Sequence, residues 1–168
     1  MEKEILRPDV NVRFTEMDDA PYLRQWLLEP GVLRGFPMQD VQEVDDAVKH
    51  WISLSRYRCS LTAVIDGVPC GLTTLYLMPY RKLAHQCLFS IIVGTEYQGK
   101  GVGSVLLNNI MHLGKEQFRL EVLYLEYYEG NPAVHLYNKF GFKEVGRQNH
   151  FLKEDGKFVP KITMERLL

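Results

Sequence analysis

The sequence predicts a mixed α/β fold in which helices cover both faces of one central sheet. Segments with strand-like alternation and segments with helical spacing follow one another in the order β-α-α-β-β-β-α-β-α-β-β. The chain has 168 residues, enough for one domain of ordinary size, and no linker-like tract or repeat divides it. Its composition, with 46% hydrophobic and 24% charged residues, is typical of globular proteins. We therefore expect a single domain over residues 1–168.

The first three predicted elements are a strand and two amphipathic helices. Val10–Met17 alternates apolar and polar side chains, which is typical of a half-buried strand. Ala20–Glu29 follows Asp18 and Asp19, two residues that suit the N-cap of a helix, and it ends before a Pro-Gly pair. Val41–Leu54 has apolar side chains at helical spacing, which predicts the second helix.

The next three predicted elements are strands. Ser60–Ile65 and Pro69–Met78 are rich in Leu, Thr, Val and Tyr, and the dipeptide Asp66-Gly67 between them predicts a tight hairpin turn. His85–Val93 is a third strand-like run that ends in three apolar residues. The three segments together predict the centre of the sheet.

The last five predicted elements are a helix, a strand, a short helix and two strands. Their bounds, in chain order, are Val102–Phe118, Val122–Tyr128, Pro132–Phe140 and two strands within Phe142–Leu168. Asn131 suits the N-cap of the short helix, and Gly141 suits its C-cap. Glu154-Asp155-Gly156 predicts the turn between the two final strands.

Composition and charge exclude several classes of function. The formal net charge of −1 argues against a nucleic-acid partner. No apolar run approaches the roughly 18–20 residues of a membrane helix, and Met1–Asn11 lacks the apolar stretch of a secretory signal. Cys59, Cys70 and Cys87 lie in apolar segments at no metal-like spacing, and the five histidines do not cluster. We expect reduced cysteines, no metal site, no membrane partner and a cytoplasmic location.

The most informative segment is a glycine-rich turn between a strand and a long helix. It follows Ile91-Ile92-Val93 and contains Gln98-Gly99-Lys100-Gly101-Val102-Gly103-Ser104. Glycines allow the backbone to approach a ligand closely, and the unpaired N–H groups at a helix start attract phosphate. The turn matches neither the G-x-G-x-x-G fingerprint of dinucleotide sites nor the Walker loop. By itself, the segment leaves a plain strand-to-helix turn as an open alternative.

This turn and a second motif together resemble the GCN5-related N-acetyltransferase (GNAT) family. Gln98–Gly103 is similar to the Gln/Arg-x-x-Gly-x-Gly/Ala motif with which the family binds acyl-CoA. Leu136–Phe142 is similar to the family's Leu-Tyr-x-x-x-Gly-Phe signature, and one helix and one strand separate the two motifs. The resemblance implies a GNAT-like, mostly antiparallel sheet and an enzyme that transfers an acetyl group from acetyl-CoA to an amine.

The resemblance also implies where acetyl-CoA binds. In the family the turn binds the pyrophosphate, and the strand before it splays from its neighbour and offers backbone groups to the pantetheine arm. The implied cofactor-binding residues are Ile91, Ile92, Val93, Gln98, Gly99, Lys100, Gly101, Val102, Gly103, Ser104 and Asn131. For Asn131 a capping role is an open alternative, because its spacing to Tyr137 is one residue shorter than the commonest family spacing.

Two catalytic residues are implied in the same way. Tyr137 corresponds to the general acid of the family, although giving its proton to a thiolate would cost about 2 kcal/mol at an ordinary tyrosine pKa. We therefore expect it to stabilise the leaving thiolate by hydrogen bonding. Leu123–Asn131 resembles a stretch of the ribosomal-protein alanine acetyltransferases in which a glutamate is the base, which nominates Glu126. Glu129, water alone and plain structural roles for Tyr137 and Glu126 are the open alternatives.

In the family, the loop between the first two helices lines the acceptor pocket. The expected lining consists of the apolar Leu33, Phe36, Pro37 and Met38 and the charged Glu29 and Arg34. The alternative is that this loop folds its apolar side chains into the core. Trp26–Val32 is similar to a stretch found in family branches that acetylate protein N-termini and aminoglycosides.

The expected reaction is direct attack by the primary amine of a small molecule on acetyl-CoA in a ternary complex. No cysteine lies near the second motif, so a covalent acyl-enzyme is not expected. A protein or peptide N-terminus is the alternative acceptor, and a non-catalytic acyl-CoA-binding module is the alternative class. A homodimer is left open.

Overall fold

The structure, a computed structural model, describes residues 9–168. The strands β1 to β7 are Asn11–Phe14, Ser60–Ile65, Val68–Tyr76, Gln86–Val93, Val122–Tyr128, Lys143–Glu154 and Lys157–Leu167. The helices α1 to α4 are Ala20–Leu27, Val41–Ser53, Val102–Glu116 and Val134–Lys139. The order of these elements is the predicted one. Most of the segment considered for a secretory signal lies outside the described residues.

The strands form one sheet with the order β1-β2-β3-β4-β5-β7-β6. All neighbouring strands are antiparallel except β4 and β5, which are parallel. Helices α1 and α2 pack on one face, against Leu72 of β3 and Ile92 of β4. Helices α3 and α4 pack on the other face, against Phe89 of β4 and Leu123 of β5. The predicted mostly antiparallel sheet with helices on both faces is confirmed.

Two Asp-Gly dipeptides close the hairpins at the predicted places. Asp66 and Gly67 have φ angles of 50° and 78°, and Ile65 pairs directly with Val68. Asp155 and Gly156 have φ angles of 49° and 76° and close the hairpin of β6 and β7 in the same way. Positive φ at both central residues is the geometry that Asp-Gly favours, so this local signal fixed both turns.

The cysteines are buried and belong to the core between the sheet and α3. Cys59, Cys70 and Cys87 are free thiols with at most 1% of their surface exposed. Burial raises the pKa of Cys70 to about 11 and that of Cys87 to about 12. Both therefore remain protonated thiols at neutral pH and are poor nucleophiles.

The first strand is shorter than predicted, and the expected cap of α1 has another role. β1 ends at Phe14, after which the chain turns through a short 3₁₀ segment, Met17–Asp19. Asp19 is the N-cap residue of α1, but its side chain makes no capping hydrogen bond. Its carboxylate instead accepts two hydrogen bonds from Arg13, each of 2.8 Å, and one from the hydroxyl of Thr62. The interaction pins the chain before α1 to β1 and β2.

Asp19→Asn is expected to lower the free energy of unfolding by about 2 kcal/mol at pH 7, because it removes the charge from a buried, charge-assisted pair. Burial opposes ionisation of Asp19, but hydrogen bonds from Arg13, the Glu16 backbone and Thr62 outweigh it and hold its pKa below the ordinary value. The carboxylate therefore stabilises the fold above the pKa of the unfolded chain. This contribution is lost as the pH falls through the lower pKa of the folded protein.

Denaturant unfolding at several pH values measures this contribution, and Asp45→Asn is the matched control. Asp45 forms a surface ion pair of 2.6 Å with Arg24, for which a cost below about 1 kcal/mol is expected. The difference in the free energy of unfolding between wild type and Asp19→Asn should become smaller below about pH 4. Equal effects of the two variants would show that the buried pair adds nothing beyond a surface pair.

Candidate active site

The sheet splits between β4 and β5. Their parallel pairing covers only Gln86 to Leu88 of β4 against Val122 to Tyr124 of β5. Both strands continue beyond this point, to Val93 and Tyr128, without pairing to each other. The two strands therefore diverge, and the wedge between them, called the cleft below, exposes backbone N–H and C=O groups that an ordinary sheet would pair.

Strand register decides which backbone groups of β4 face the cleft. The N–H of Gly94 donates to the carbonyl of Cys70 at 3.0 Å. Because hydrogen-bonded and non-hydrogen-bonded residues alternate in an antiparallel pair, Ile92 bonds β3 whereas Ile91 and Val93 face the cleft. The Ile92 side chain packs into the core beneath α1 and α2. Of the three predicted residues, only Ile91 and Val93 offer backbone groups to the cleft.

The glycine-rich turn lies at the end of β4 and leads into α3. Gly99 and Gly101 have φ angles of 73° and 88°, a region that residues with a Cβ rarely adopt. The first helical bond runs from the N–H of Val105 to the carbonyl of Gly101. The N–H groups from Gly99 to Ser104 donate to no acceptor among residues 9–168. They form a row of free donors at the positive end of the α3 dipole, an arrangement that binds phosphate.

The side chains of the turn leave space above these donors. A Cβ placed on Gly99 or Gly101 would meet no atom within 4 Å. Val102 is buried, so only its backbone faces the turn. Lys100 is exposed, with its Nζ 5.5 Å from the centre of the Tyr97 ring, and can add a positive charge at the rim. The Gln98 amide donates to the carbonyl of Val93 at 3.3 Å, which links the turn to the strand.

Tyr137 lies where the two strands begin to diverge. Its ring packs against Phe89 of β4 and Tyr127 of β5, with centroids 6.4 and 6.3 Å away, and also against Phe142. The side chain is 7% exposed, and its hydroxyl bonds no group among residues 9–168. Burial raises its pKa to about 12. Tyr137 therefore combines the core packing considered as an alternative with a free hydroxyl that stays protonated.

Glu126 lies on the opposite face of the sheet from Tyr137. Leu125 and Tyr127, its neighbours on β5, face α3 and α4, so the alternation of a strand turns Glu126 toward the side of α1 and α2. Its carboxylate is 3.2 Å from the ammonium of Lys161, and about a third of the side chain is exposed. Lys161 lies on β7, opposite Tyr128. It carries no sequence motif, and only strand register brings it beside Glu126.

Glu129 does not share this surface. Its carboxylate forms an ion pair of 2.5 Å with Arg147 of β6. Arg147 pairs in register with Ile162, which in turn pairs with Tyr127, so all three lie on the α4 side of the sheet. As an alternative base, Glu129 is therefore on a different face from Glu126.

Asn131 shapes a local turn and is not the N-cap of α4, whose N-cap residue is Ala133. Its Oδ1 accepts a hydrogen bond of 3.0 Å from the N–H of Ala133. This bond shapes the turn before α4, which starts at Val134 rather than at the predicted Pro132. On the other side, a Cβ placed on Gly35 would lie 3.4 Å from its Nδ2. Asn131 thus lies close to the loop between α1 and α2.

The loop between α1 and α2 spans the open end of the cleft. The carboxylate of Glu29 accepts a 2.8 Å hydrogen bond from the N–H of Thr95 and a second bond from its hydroxyl. Gly35, farther along the loop, lies close to Asn131 after β5. The loop is therefore anchored to the turn after β4 and passes close to the turn after β5.

The apolar side chains of this loop do not form the open mouth that was expected. Leu33, Phe36 and Met38 are half-buried and pack against the core of α1 and α2. Phe36 meets the ring of Trp51 edge-on at 6.0 Å. Of the expected lining residues, Pro37 and Arg34 are exposed and Glu29 is half-buried. Most of the apolar side chains therefore pack into the core, as the alternative interpretation of the loop expected.

Glu29→Ala is expected to raise the acceptor KM about fivefold while the Kd for acetyl-CoA stays near wild type. The substitution removes the anchor at Thr95, a loss of about 1 kcal/mol of hydrogen bonding, and so loosens the loop over the cleft. Glu29→Gln is the control, because an amide oxygen still accepts from the Thr95 N–H. Steady-state kinetics measures the acceptor KM of wild type, Glu29→Ala and Glu29→Gln. Identical values for the three proteins would contradict the anchoring role.

Residues 9–168 contain no group of three or more His, Cys, Asp or Glu side chains placed to hold a metal ion. Within the same residues, no helix is long and apolar enough to span a membrane.

A split sheet whose cleft leads to free N–H groups at a helix start defines a protein that holds an elongated, phosphate-bearing ligand. The comparison with known proteins agrees with this class. Residues 20–142 match the family described as Acetyltransferase (GNAT) family. The chain therefore belongs to the GNAT family and is an acetyl-CoA-dependent N-acetyltransferase, as its two motifs predicted.

Relatives and solved structures show the breadth of this similarity. The chain is 29% identical over 160 residues to the spermidine N(1)-acetyltransferase of Escherichia coli (strain K12), a match that covers 92% of this chain and 84% of that protein. It is 41% identical over 70 residues to the ribosomal protein bS18 alanine N-acetyltransferase of Haemophilus influenzae, covering 41% of this chain and 47% of that protein. The structure of yncA from Salmonella typhimurium, solved with its cofactor acetyl-CoA, aligns with a TM-score of 0.75 and 17% identity, over 94% and 93% of the two chains.

Proposed function

We propose that this enzyme acetylates the primary amine of a small molecule and holds acetyl-CoA in the cleft between β4 and β5. One observation carries the proposal: the sheet splits directly beside a helix start whose N–H groups are free. A long ligand with a phosphate-bearing end and a thin amide-containing arm suits both features. Acetyl-CoA supplies an acetyl group activated as a thioester.

The residues of the cleft fit the two parts of this ligand. The free N–H groups from Gly99 to Ser104 would hold the pyrophosphate, with Lys100 as a further cation. Each charge-assisted hydrogen bond contributes about 1.5–3 kcal/mol, so several of them suffice for a strong site. The cleft-facing backbone groups of Ile91 and Val93 would pair with the amides of the arm, although the Val93 carbonyl also accepts from Gln98. Asn131 contributes mainly by shaping the turn before α4.

We assign Tyr137 the stabilisation of the leaving thiolate. A phenol with a pKa of about 12 keeps its proton at neutral pH and is a much weaker acid than a thiol. Its role is therefore to donate a hydrogen bond to the sulfur rather than to give up the proton. The buried thiols of Cys70 and Cys87 have raised pKa values, which supports direct attack by the amine without a covalent acyl-enzyme.

We assign Glu126 the acceptance of the amine proton, through a water molecule. Its partly exposed carboxylate lies on the α1 and α2 side of the sheet, where the acceptor loop is anchored. The ion pair with Lys161 fixes its position. Glu126→Gln is expected to lower kcat/KM about 10–100-fold at pH 7, since general base catalysis contributes a factor of this order or more.

Glu121→Gln is the control for this variant, because it removes an exposed carboxylate that lies just before β5. The loss of kcat/KM in Glu126→Gln should shrink as the pH rises toward about 10.4, because a growing share of the acceptor amine is then unprotonated without a base. A pH profile that is parallel to wild type, or a wild-type rate at pH 7, would assign deprotonation to water alone.

A small-molecule acceptor is favoured over a protein N-terminus by the extent of the similarity. The relative named for spermidine matches nearly the whole chain, whereas the relative named for a ribosomal protein matches less than half of it. The acceptors in these two names are those of the relatives. A peptide N-terminus is therefore the second candidate acceptor, supported by the higher identity of the shorter match, 41% against 29%.

Two measurements test the proposed function in sequence. Calorimetric titration with acetyl-CoA, desulfo-CoA and ATP should show tight binding of the two CoA compounds and none of ATP. Acetyl transfer should then be assayed with a panel of amino acids, polyamines and amino sugars, beside peptides with free N-termini. Absence of acetyl-CoA binding at high micromolar concentration would overturn the cleft assignment. Transfer to peptides alone would replace the small-molecule acceptor with a protein N-terminus.

A further inference from the structure

A second cavity lies on the far side of α4 from the cofactor turn. Its volume is about 410 Å³, within the range of small-molecule sites. Helix α4 separates it from the turn, because Leu136 packs against Gly103 of α3 whereas the next face of α4 lines the cavity. The lining residues that matter here are Tyr127, Glu129, Val134, Glu144, Arg147 and Ile162.

The charges around this cavity leave one carboxylate without a partner. Two of the guanidinium nitrogens of Arg147 are engaged: its Nη2 pairs with Glu129, and its Nε donates to the side chain of Asn149 at 2.8 Å. Glu144 forms no ion pair or side-chain hydrogen bond with any of residues 9–168. It approaches the ring of Tyr127 closely enough to help raise the pKa of that phenol, after burial as the main cause. Among the lining residues, which also include His135, Glu144 is therefore the one carboxylate without a partner in residues 9–168.

The uncharged walls are aromatic and aliphatic. Tyr127 supplies a half-buried ring, and Val134 and Ile162 supply apolar surface. A carboxylate beside an aromatic ring and an apolar wall is the combination that recognises an organic cation, because the charge meets the carboxylate and the ring face while the carbon body displaces water.

We propose that this cavity binds a small organic ammonium ion, with the charge held between the Glu144 carboxylate and the Tyr127 ring. The site lies on the other side of α4 from the cofactor turn, and its binding of a cation does not depend on the acceptor of the reaction. The ring of Tyr127 packs against Tyr137, so an occupied cavity lies one aromatic contact from the proposed catalytic hydroxyl. Through this contact, a bound cation can affect the position of the Tyr137 ring and so the rate of turnover.

The test is an NMR titration of the free protein with tetramethylammonium chloride, with sodium chloride at equal ionic strength as the reference. Tetramethylammonium has no N–H to acetylate, and neither acetyl-CoA nor an acceptor is present, so the result is independent of the proposed function. Backbone amide shifts are expected to saturate at Tyr127, Val134 and Glu144. The amides from Gly99 to Ser104 should not respond.

Two variants and one control decide the outcome. Glu144→Gln keeps the shape of the side chain and removes its charge, and Tyr127→Leu removes the ring. Each is expected to weaken binding about two- to fivefold, as loss of a cation contact at an exposed site predicts. Glu154→Gln, an exposed carboxylate at the tip of the same strand, should bind as wild type does. No saturation in the wild type, unchanged affinity in Glu144→Gln, or shifts confined to the cleft would each overturn the proposal.

Discussion

Gly101→Val is expected to weaken acetyl-CoA binding by at least about a hundredfold. Gly101 has a φ angle of 88° and precedes the first turn of α3. A branched side chain disfavours this backbone conformation, so the free N–H groups around it no longer converge on one phosphate. Loss of two charge-assisted hydrogen bonds of about 1.5–3 kcal/mol each corresponds to roughly 10²–10⁴ in affinity. Calorimetric titration measures the effect.

Gly67→Val is the matched control for this substitution. Gly67 has a φ angle of 78°, and a Cβ there would also meet no atom within 4 Å. It lies in the hairpin turn between β2 and β3, far along the chain from the glycine-rich turn. Both variants should lose about 1–2 kcal/mol of stability from backbone strain, but only Gly101→Val should lose affinity. Wild-type affinity in Gly101→Val would overturn the assignment of the turn to the pyrophosphate.

Tyr137→Phe is expected to lower kcat about 100-fold and to leave the Kd for acetyl-CoA unchanged. The phenylalanine ring keeps the contacts with Phe89 and Phe142, so packing and the cleft are preserved. The substitution removes one hydroxyl that donates a hydrogen bond to the developing negative charge. Removal of a comparable donor lowers kcat by roughly 10²–10³. Single-turnover kinetics with a saturating acceptor, beside calorimetry with acetyl-CoA, separates the two quantities.

The pH dependence of wild-type kcat carries the signature of Tyr137. Because its pKa is raised to about 12, the hydroxyl is protonated below that pH and the hydrogen bond is available throughout the usual assay range. Activity should therefore rise as the acceptor amine loses its proton and should not fall again before about pH 10. A decline near pH 9 that disappears in Tyr137→Phe would show that its pKa in the working enzyme is lowered, and proton transfer would then replace hydrogen bonding as its role.

Tyr57→Phe removes the same hydroxyl from an exposed ring after α2 and should retain wild-type kcat. If Tyr137→Phe also keeps wild-type kcat, Tyr137 has a packing role only. Bound acetyl-CoA without turnover of any amine in the wild type would instead point to an acyl-CoA-binding module.

Local sequence signals predicted the fold well because each acts over a few residues. The Asp-Gly pairs at 66–67 and 155–156 determine their own backbone angles, and so do Gly99 and Gly101 in the turn. Asn131 binds the N–H of Ala133, two residues away, and shapes its own turn. The prediction for Asp19 was incomplete for a similarly local reason. Asp19 is a residue type that suits an N-cap, but its carboxylate binds the nearby guanidinium of Arg13 instead.

By itself, the sequence determined the order of the elements, the glycine-rich turn and the presence of a tyrosine near the start of the second motif. Tertiary structure alone decided where β4 and β5 part, and therefore that Ile91 and Val93 face the cleft while Ile92 does not. It also joined Glu126 to Lys161 and Glu29 to Thr95, pairs separated by 35 and 66 residues. Such contacts depend on strand register and on the packing of helices across a sheet. No local pattern encodes them, because each partner meets the other only after the chain has folded.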